Sequence, residues 1–191
     1  HANRAMALNV LDTYLGKMSG ERVLEGLVRR GDHDDINAII WFCDLRNSTP
    51  LAASMSRHEF LGLLNQYFDA IAAPITEHGG EILRFIGDAA LAIFPIGESC
   101  QPGAHCDAPQ ALEQALGAID SAVANMAALN ERRAGENLEP LGFGIGIHQG
   151  EVTYGNIGTD GRLEFTVVGD AANVAARVEA QCKELEQPVL A

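Results

Sequence analysis

Apolar residues recur along the chain with two different periods. Ala5, Leu8, Leu11 and Leu15 fall at helical spacing, followed after Ser19-Gly20 by Val23, Leu24, Leu27 and Val28, which predicts one or two short helices in residues 4–30. The polar connector Gly31 to Asp35 leads to Ile36–Phe42, a nearly continuous apolar run of the kind found in a strand covered on both faces. That run ends abruptly in Asp44-Leu45-Arg46-Asn47-Ser48-Thr49. Ser56 and Glu59 then form a capping-box pattern ahead of an apolar stripe, Phe60, Leu63, Leu64, Tyr67, Phe68, Ile71 and Ile75, and Gly79-Gly80 stops the helix. Ile82 to Phe94 reads as two short strands around Gly87-Asp88-Ala89, and Gly97 to Pro109 as a loop. Leu112, Leu116, Ile119, Val123 and Met126 mark a second long helix that ends near Gly135. A Gly-interrupted strand follows from Leu141 to Val152, another strand ends at Val168, and a helix starts near Asp170.

The order strand, helix, strand, strand, helix, strand predicts an α+β chain: a ferredoxin-like, palm-like split βαβ antiparallel sheet with helices packed on one face. Residues 1–35 read as an N-terminal helical linker and residues 36–191 as one domain. Glu186 to Ala191 stops within what reads as a further strand, so truncation at this end is expected.

Composition narrows the function. Lys and Arg total 13 against 26 Asp and Glu, a formal net charge of -13, which excludes sequence-independent nucleic-acid binding. No apolar run approaches a membrane span and no signal segment opens the chain, so no membrane contact by this fragment is expected. Cys43, Cys100, Cys106 and Cys182 are scattered, as reduced thiols of a cytoplasmic protein are; a full-length protein attached to a membrane is compatible with this. The cluster Cys100, His105, Cys106 and Asp107 matches no common metal spacing, and His148 is read as a packed histidine.

The candidate chemistry lies in two carboxylates. Asp44 follows the buried strand and Asp88 sits at the tip of the next hairpin. In a split βαβ sheet the strands leading to them are neighbours, so both would converge at one end. Hard oxygen ligands beside a turn suit Mg²⁺ and a polyphosphate. Taken singly, Asp44 is equally a cap for the helix at Ser48, and Asp88 a turn residue.

Four motifs then appear in one order. Trp41-Phe42-Cys43-Asp44-Leu45-Arg46-Asn47-Ser48-Thr49 resembles the first metal motif of class III nucleotidyl cyclases, and Gly80 to Asp88 resembles the second. Gly146-Ile147-His148-Gln149-Gly150-Glu151-Val152 is similar to the Gly-rich central strand of that family, and Val168 to Arg177 to its catalytic helix.

The resemblance implies an adenylate cyclase that turns ATP into 3′,5′-cyclic AMP and pyrophosphate. It assigns Asp44, Asp88 and the Leu45 carbonyl to two divalent cations, Mg²⁺ or Mn²⁺. It gives the backbone N–H groups of Arg46, Asn47, Ser48 and Thr49 to the β- and γ-phosphates. Asn173 would position the ribose and Arg177 would stabilise charge on the α-phosphate. Arg84 and Thr166 would read the base, and a donor-only Arg84 favours adenine over guanine. The metal ligands and the Asn173/Arg177 pair come from different subunits, which implies a homodimer, and an upstream regulatory domain is expected beyond the N-terminal stripe. Gly144 stands where some relatives have a triphosphate-binding Arg, and a phosphate-binding Lys beyond the last helix has no counterpart; Lys183 lies too early. The alternatives are a guanylate cyclase, or a degenerate cyclase domain serving as a nucleotide-binding or dimerisation module. A diguanylate cyclase is disfavoured because Gly87-Asp88-Ala89 is not an acidic Gly-Gly hairpin.

Overall fold

Strand β1 (His33–Leu45) carries the central apolar run and is longer than that run at both ends. The computed structural model describes residues 2–24, 26, 29, 31–101, 104–159 and 161–191. The expected helix positions Leu27 and Val28, and the side chains of Ala5, Leu8, Cys100 and His105, lie outside the described residues. Strand β1 is flanked by β3 (Ala89–Gln101) and β5 (Phe143–Thr159), both antiparallel to it. With β2 (Glu81–Ile86) beyond β3 and β6 (Arg162–Val168) beyond β5, the sheet order is β2-β3-β1-β5-β6. Short strands β4 (Ala104–Cys106) and β7 (Val189–Leu190) pair with β3 and β5. The expected split βαβ order is therefore present.

Alternation along β1 divides the core. Ile39, Trp41, Cys43 and Leu45 point to one face, where α4 (Arg57–Ile71), α5 (Ala73–Glu77) and α6 (Ala108–Gly135) contribute Tyr67, Ile75 and Met126. Each such fully buried large side chain contributes about 1.5–3 kcal/mol. Ile36, Ala38 and Ile40 point to the other face, against Val152, Phe165, Ala171 and Ala175. The last two belong to α7 (Asp170–Glu184), so this helix lies opposite α4–α6 rather than beside them. Missing side chains on β5 make room for it. A Cβ on Gly146 would collide with the backbone N of Glu179, and one on Gly150 with the Ala171 side chain.

Local chemistry explains the element ends. Ser56 Oγ accepts from Glu59 N at 3.2 Å and Glu59 Oε2 accepts from Ser56 N at 2.7 Å, completing the capping box. The expected loop at 97–109 is instead largely the end of β3 and its pairing with β4, through Gly97 opposite Cys106. On α6 the packed face joins the expected Ile119 and Met126 to an alanine line, Ala111, Ala115, Ala118 and Ala122, whereas the expected Leu112, Leu116 and Val123 are exposed. Small side chains let this helix approach the sheet closely, which the leucines do not.

The N-terminal break is at Gly16, not Ser19-Gly20. Gly16 has φ 86° between α1 (Ala2–Leu15) and α2 (Lys17–Leu24), and Gly20 N donates to Gly16 O at 2.9 Å, so α2 runs through Ser19. Ser19 is fully buried. Its N and Oγ donate to Glu81 Oε1 at 3.0 and 2.7 Å, and Oγ lies 2.8 Å from the Tyr154 hydroxyl, which donates to Glu81 Oε2 at 3.1 Å. This network ties α2 to β2 and β5. Among the described residues no helix is long and apolar enough to cross a membrane.

Glu81→Ala leaves the Ser19 donors and the Tyr154 hydroxyl buried without that acceptor, an expected loss of about 3 kcal/mol. Urea unfolding followed by the fluorescence of the single tryptophan, Trp41, checks this. An unchanged midpoint would contradict the network's role.

Candidate active site

Register places the two carboxylates. Asp44 is paired with Ala89, and Ile86 is paired with Ala89 across the two-residue turn Gly87-Asp88. Gly87 takes φ 65°, the left-handed position such a tight hairpin needs. Asp88 is thus the chain neighbour of Asp44's cross-strand partner, and the two carboxyl groups interact directly. Partial burial, then the charge and hydrogen bond of Asp88, then the charge of Glu179 push the Asp44 carboxyl up to about 6, against the opposing pull of Arg46. Cys43, just before it, is buried, and burial pushes its thiol up to about 11, so it is a neutral packing group.

These donors fit a magnesium-type ion. Leu45 is 1% exposed with its side chain in the core, which leaves its carbonyl as the group it can offer. Among the described residues no cluster of three or more His, Cys, Asp or Glu is arranged to hold a metal. A cation that keeps several waters and takes substrate phosphate oxygens needs only one or two carboxylates, and a pair of adjacent carboxylates repelling each other is what it relieves.

The loop after β1 departs from expectation at one group. Arg46 N–H donates to Gly142 O at 2.9 Å, so that amide is engaged within the fold and not held out for phosphate. The Arg46 guanidinium forms an ion pair with Glu179 at 2.9 Å. Asn47 is the N-cap of α3 (Ser48–Ser54), at φ 56° and without a side-chain cap bond. Ser48 and Thr49 open that helix, where N–H groups have no intrahelical acceptor.

Base-reading candidates lie between β2 and β6. Arg84 Nε faces Glu164 Oε1 at 3.3 Å, and Thr166, buried, is two residues further on the same strand. On α7 the sheet-facing residues are Ala171, Ala175, Glu179 and Cys182, while Asn173 and Arg177 are exposed on the opposite side. A single chain therefore brings Asp44 and Asp88 together and gathers Arg84 with the Thr166 strand, but turns Asn173 and Arg177 away from its own carboxylates. A cavity of about 360 Å³ lined by Arg46, Asn47, Phe143 and Lys183 among others is lined by neither Asp44 nor Asp88, nor by Asn173 or Arg177.

Two site residues escaped the sequence reading. Glu164 shares a strand face with Thr166 by its spacing of two, which is a readable signal. Glu179 sits over the Gly144–Gly146 stretch, which only the packing of α7 reveals.

The raised Asp44 value has a stability consequence. The folded protein holds a proton there up to about pH 6, whereas an ordinary carboxyl at 3.8 has released it, so the metal-free fold is destabilised above about pH 6 and not below about pH 4. Asp44→Asn is expected to raise the melting temperature by about 2–4 °C at pH 7.5, equivalent to about 1 kcal/mol for a half-exposed group. The gain should shrink at pH 5, and millimolar Mn²⁺ should stabilise the native protein but not the variant. Calorimetry showing a pH-independent gain would contradict the charge argument.

Comparison with known proteins agrees with this geometry. The profile of the adenylate and guanylate cyclase catalytic domain matches residues 30–188. An adenylate cyclase of Anabaena cylindrica is 35% identical over 150 residues, 76% of this chain and 27% of that protein. The terminal-differentiation-specific adenylate cyclase of Dictyostelium discoideum is 34% identical over 152 residues, 79% of this chain and 7% of that protein. The chain thus spans a small part of these curated relatives. A bacterial light-regulated adenylyl cyclase superposes with a TM-score of 0.76 at 27% identity, covering 98% of this chain and 52% of that one. The guanylyl cyclase Cya2 gives 0.65 at 33% identity, covering 78% and 71%. With its motifs in order on a shared sheet and a profile match over most of its length, the chain belongs to the adenylate and guanylate cyclase catalytic domain family.

Proposed function

We propose that this chain is the catalytic domain of an adenylate cyclase, a lyase that converts ATP to 3′,5′-cyclic AMP and pyrophosphate. The observation that carries this is the register that sets Asp88 next to Ala89, the cross-strand partner of Asp44, so that the two carboxyls act on each other at the hairpin tip. These two groups, with the Leu45 carbonyl, would hold two Mg²⁺ or Mn²⁺ ions. When bound, such ions neutralise a triphosphate and acidify the ribose 3′-hydroxyl that attacks the α-phosphate. The bond from O3′ to the α-phosphorus forms as the bond from that phosphorus to the oxygen bridging to the β-phosphate breaks; the hydroxyl proton passes to water and pyrophosphate leaves.

The remaining residues divide the substrate between them. The N–H groups of Asn47, Ser48 and Thr49 bind phosphate oxygens, Arg84 and Thr166 read the base, Asn173 orients the ribose, and Arg177 meets charge developing on the α-phosphate. Since Asn173 and Arg177 face away from their own chain's carboxylates, a second copy supplies them. The active form is then a homodimer with two sites, each built from both chains. The segment before β1, which begins at His33 and so three residues ahead of the expected boundary at 35/36, acts as the linker from an upstream regulatory domain, and the rest acts as the catalytic domain, working in the cytoplasm. A second reading, guanylate cyclase, is favoured by one observation: Glu164 places an acceptor beside Arg84, and guanine presents N1–H and a 2-amino group as donors.

Product analysis with ATP and GTP in Mn²⁺ is expected to give cyclic AMP as the main product, with Asp44→Ala losing at least about 100-fold. Cyclic GMP as main product would overturn the base assignment, and full activity in Asp44→Ala the site. Mixing equal amounts of Asp44→Ala and Arg177→Ala proteins should restore about one quarter of native activity, because half the dimers then carry one intact site. No recovery on mixing would contradict a shared site.

A further inference from the structure

The side chain of Arg46 lies in a track that two glycines leave bare. A Cβ on Gly142 would meet Arg46 Cβ at 3.1 Å and Cγ at 3.3 Å, and a Cβ on Gly144 would collide with Arg46 Nη2 and Glu179 Oε1. The guanidinium is anchored at the far end of this track. Its Nη2 lies 2.9 Å from Glu179 Oε1 and donates to Glu179 O at 3.2 Å. The Arg46 backbone is fixed as well, by its N–H bond to Gly142 O at 2.9 Å. Both ends of the residue are therefore held, and the space over Gly144 contains a guanidinium that arrives from the metal loop instead of from β5.

Its surroundings define what it is suited to bind. Gly144 is the register partner of Asp44 on β1, so the guanidinium seated over Gly144 lies one strand from that carboxylate, on which both it and Glu179 act electrostatically. Among the described residues the guanidinium is held through Nη2, one nitrogen of a fixed fork that carries five N–H donors. The side chain keeps 17% of its surface exposed. A planar fork of donors next to a cation site matches phosphate oxygens, singly or in pairs.

We propose that the Arg46 side chain, seated over Gly144, is a triphosphate-binding group of the cyclase site and that Glu179 is its positioning residue. This rests on the cyclase reading above. The group it contacts is the part of the substrate that leaves as pyrophosphate, so its effect separates from that of the nucleoside half. The bare position at Gly144 fits this seating, because a side chain there would displace the guanidinium, and at Gly142 a Cβ would press on the Arg46 stem.

Calorimetric titration of pyrophosphate into the protein in Mn²⁺ buffer reads the contact without turnover. Arg46→Ala is expected to weaken pyrophosphate about tenfold and to raise KM for ATP similarly, with inhibition by cyclic AMP little changed. Glu179→Gln, which retains the carbonyl contact, should weaken pyrophosphate by a smaller factor. Gly144→Arg alone should also weaken it, since the new side chain collides with Arg46. In the double variant R46A/G144R the track is empty of Arg46, and pyrophosphate affinity should return to within about threefold of native. Arg46→Lys, which keeps charge without the fork, should fall between native and Arg46→Ala and serves if Arg46→Ala melts early. Native pyrophosphate affinity in Arg46→Ala or Arg46→Lys, or no recovery in a double variant that melts as the native protein does, would overturn the proposal. Absence of cyclase activity in the native protein would instead strike the cyclase reading.

Discussion

Two like charges forced together by strand register are the constraint on which the rest of this structure turns. Pairing Asp44 with Ala89 and closing the hairpin in two residues leaves Asp88 no place but beside Asp44. Nothing in folding alone favours that contact; the carboxylate pair opposes it. It persists because β1 is buried on both faces and hydrogen-bonded on both edges, so the strand cannot slip by one residue without forcing Trp41 and its neighbours into the face packed around Ile36, Ala38 and Ile40. The core thus sets the register and the register sets the site. A carboxylate pair maintained against its own repulsion is a site waiting for positive charge.

The second element of the design is the division of helices between the two faces. Helices α4–α6 cover one face and hold β1 in place, whereas α7 lies over the glycine positions of β5 on the other. That placement links the loop after β1 to the helix through Arg46 and Glu179. It also leaves Asn173 and Arg177 on the outer side of α7. The same helix therefore faces inward with its positioning carboxylate and outward with the groups proposed for a neighbour's nucleotide. At the opposite end, the buried Ser19–Glu81–Tyr154 network joins α2 to the strand that carries Arg84.

Much of this was legible in the sequence, for identifiable reasons. The Ile36–Phe42 run and the Ser56/Glu59 box encode their elements locally, and the element order is enough to place Asp44 and Asp88 on adjacent strands. What escaped depends on packing. The alanine face of α6 is invisible to a rule that looks for large apolar side chains, and Ser19 looked like a helix breaker because its partner Glu81 is distant in sequence. Gly144 read as a lost arginine, yet the side chain occupying its space comes from Arg46. The Arg46 amide seemed available to phosphate until its bond to Gly142 was seen. Each miss involves two segments far apart in the chain and close in space.

Mn²⁺ binding, measured by electron paramagnetic resonance on the native protein, Asp44→Asn, Asp88→Asn and the double variant, tests the shared carboxylate site most directly. If both groups grip the same ions, either single substitution removes tight binding and the double variant is no worse than the singles. Retention of native Mn²⁺ affinity by either single variant would mean that the two carboxylates do not form one site.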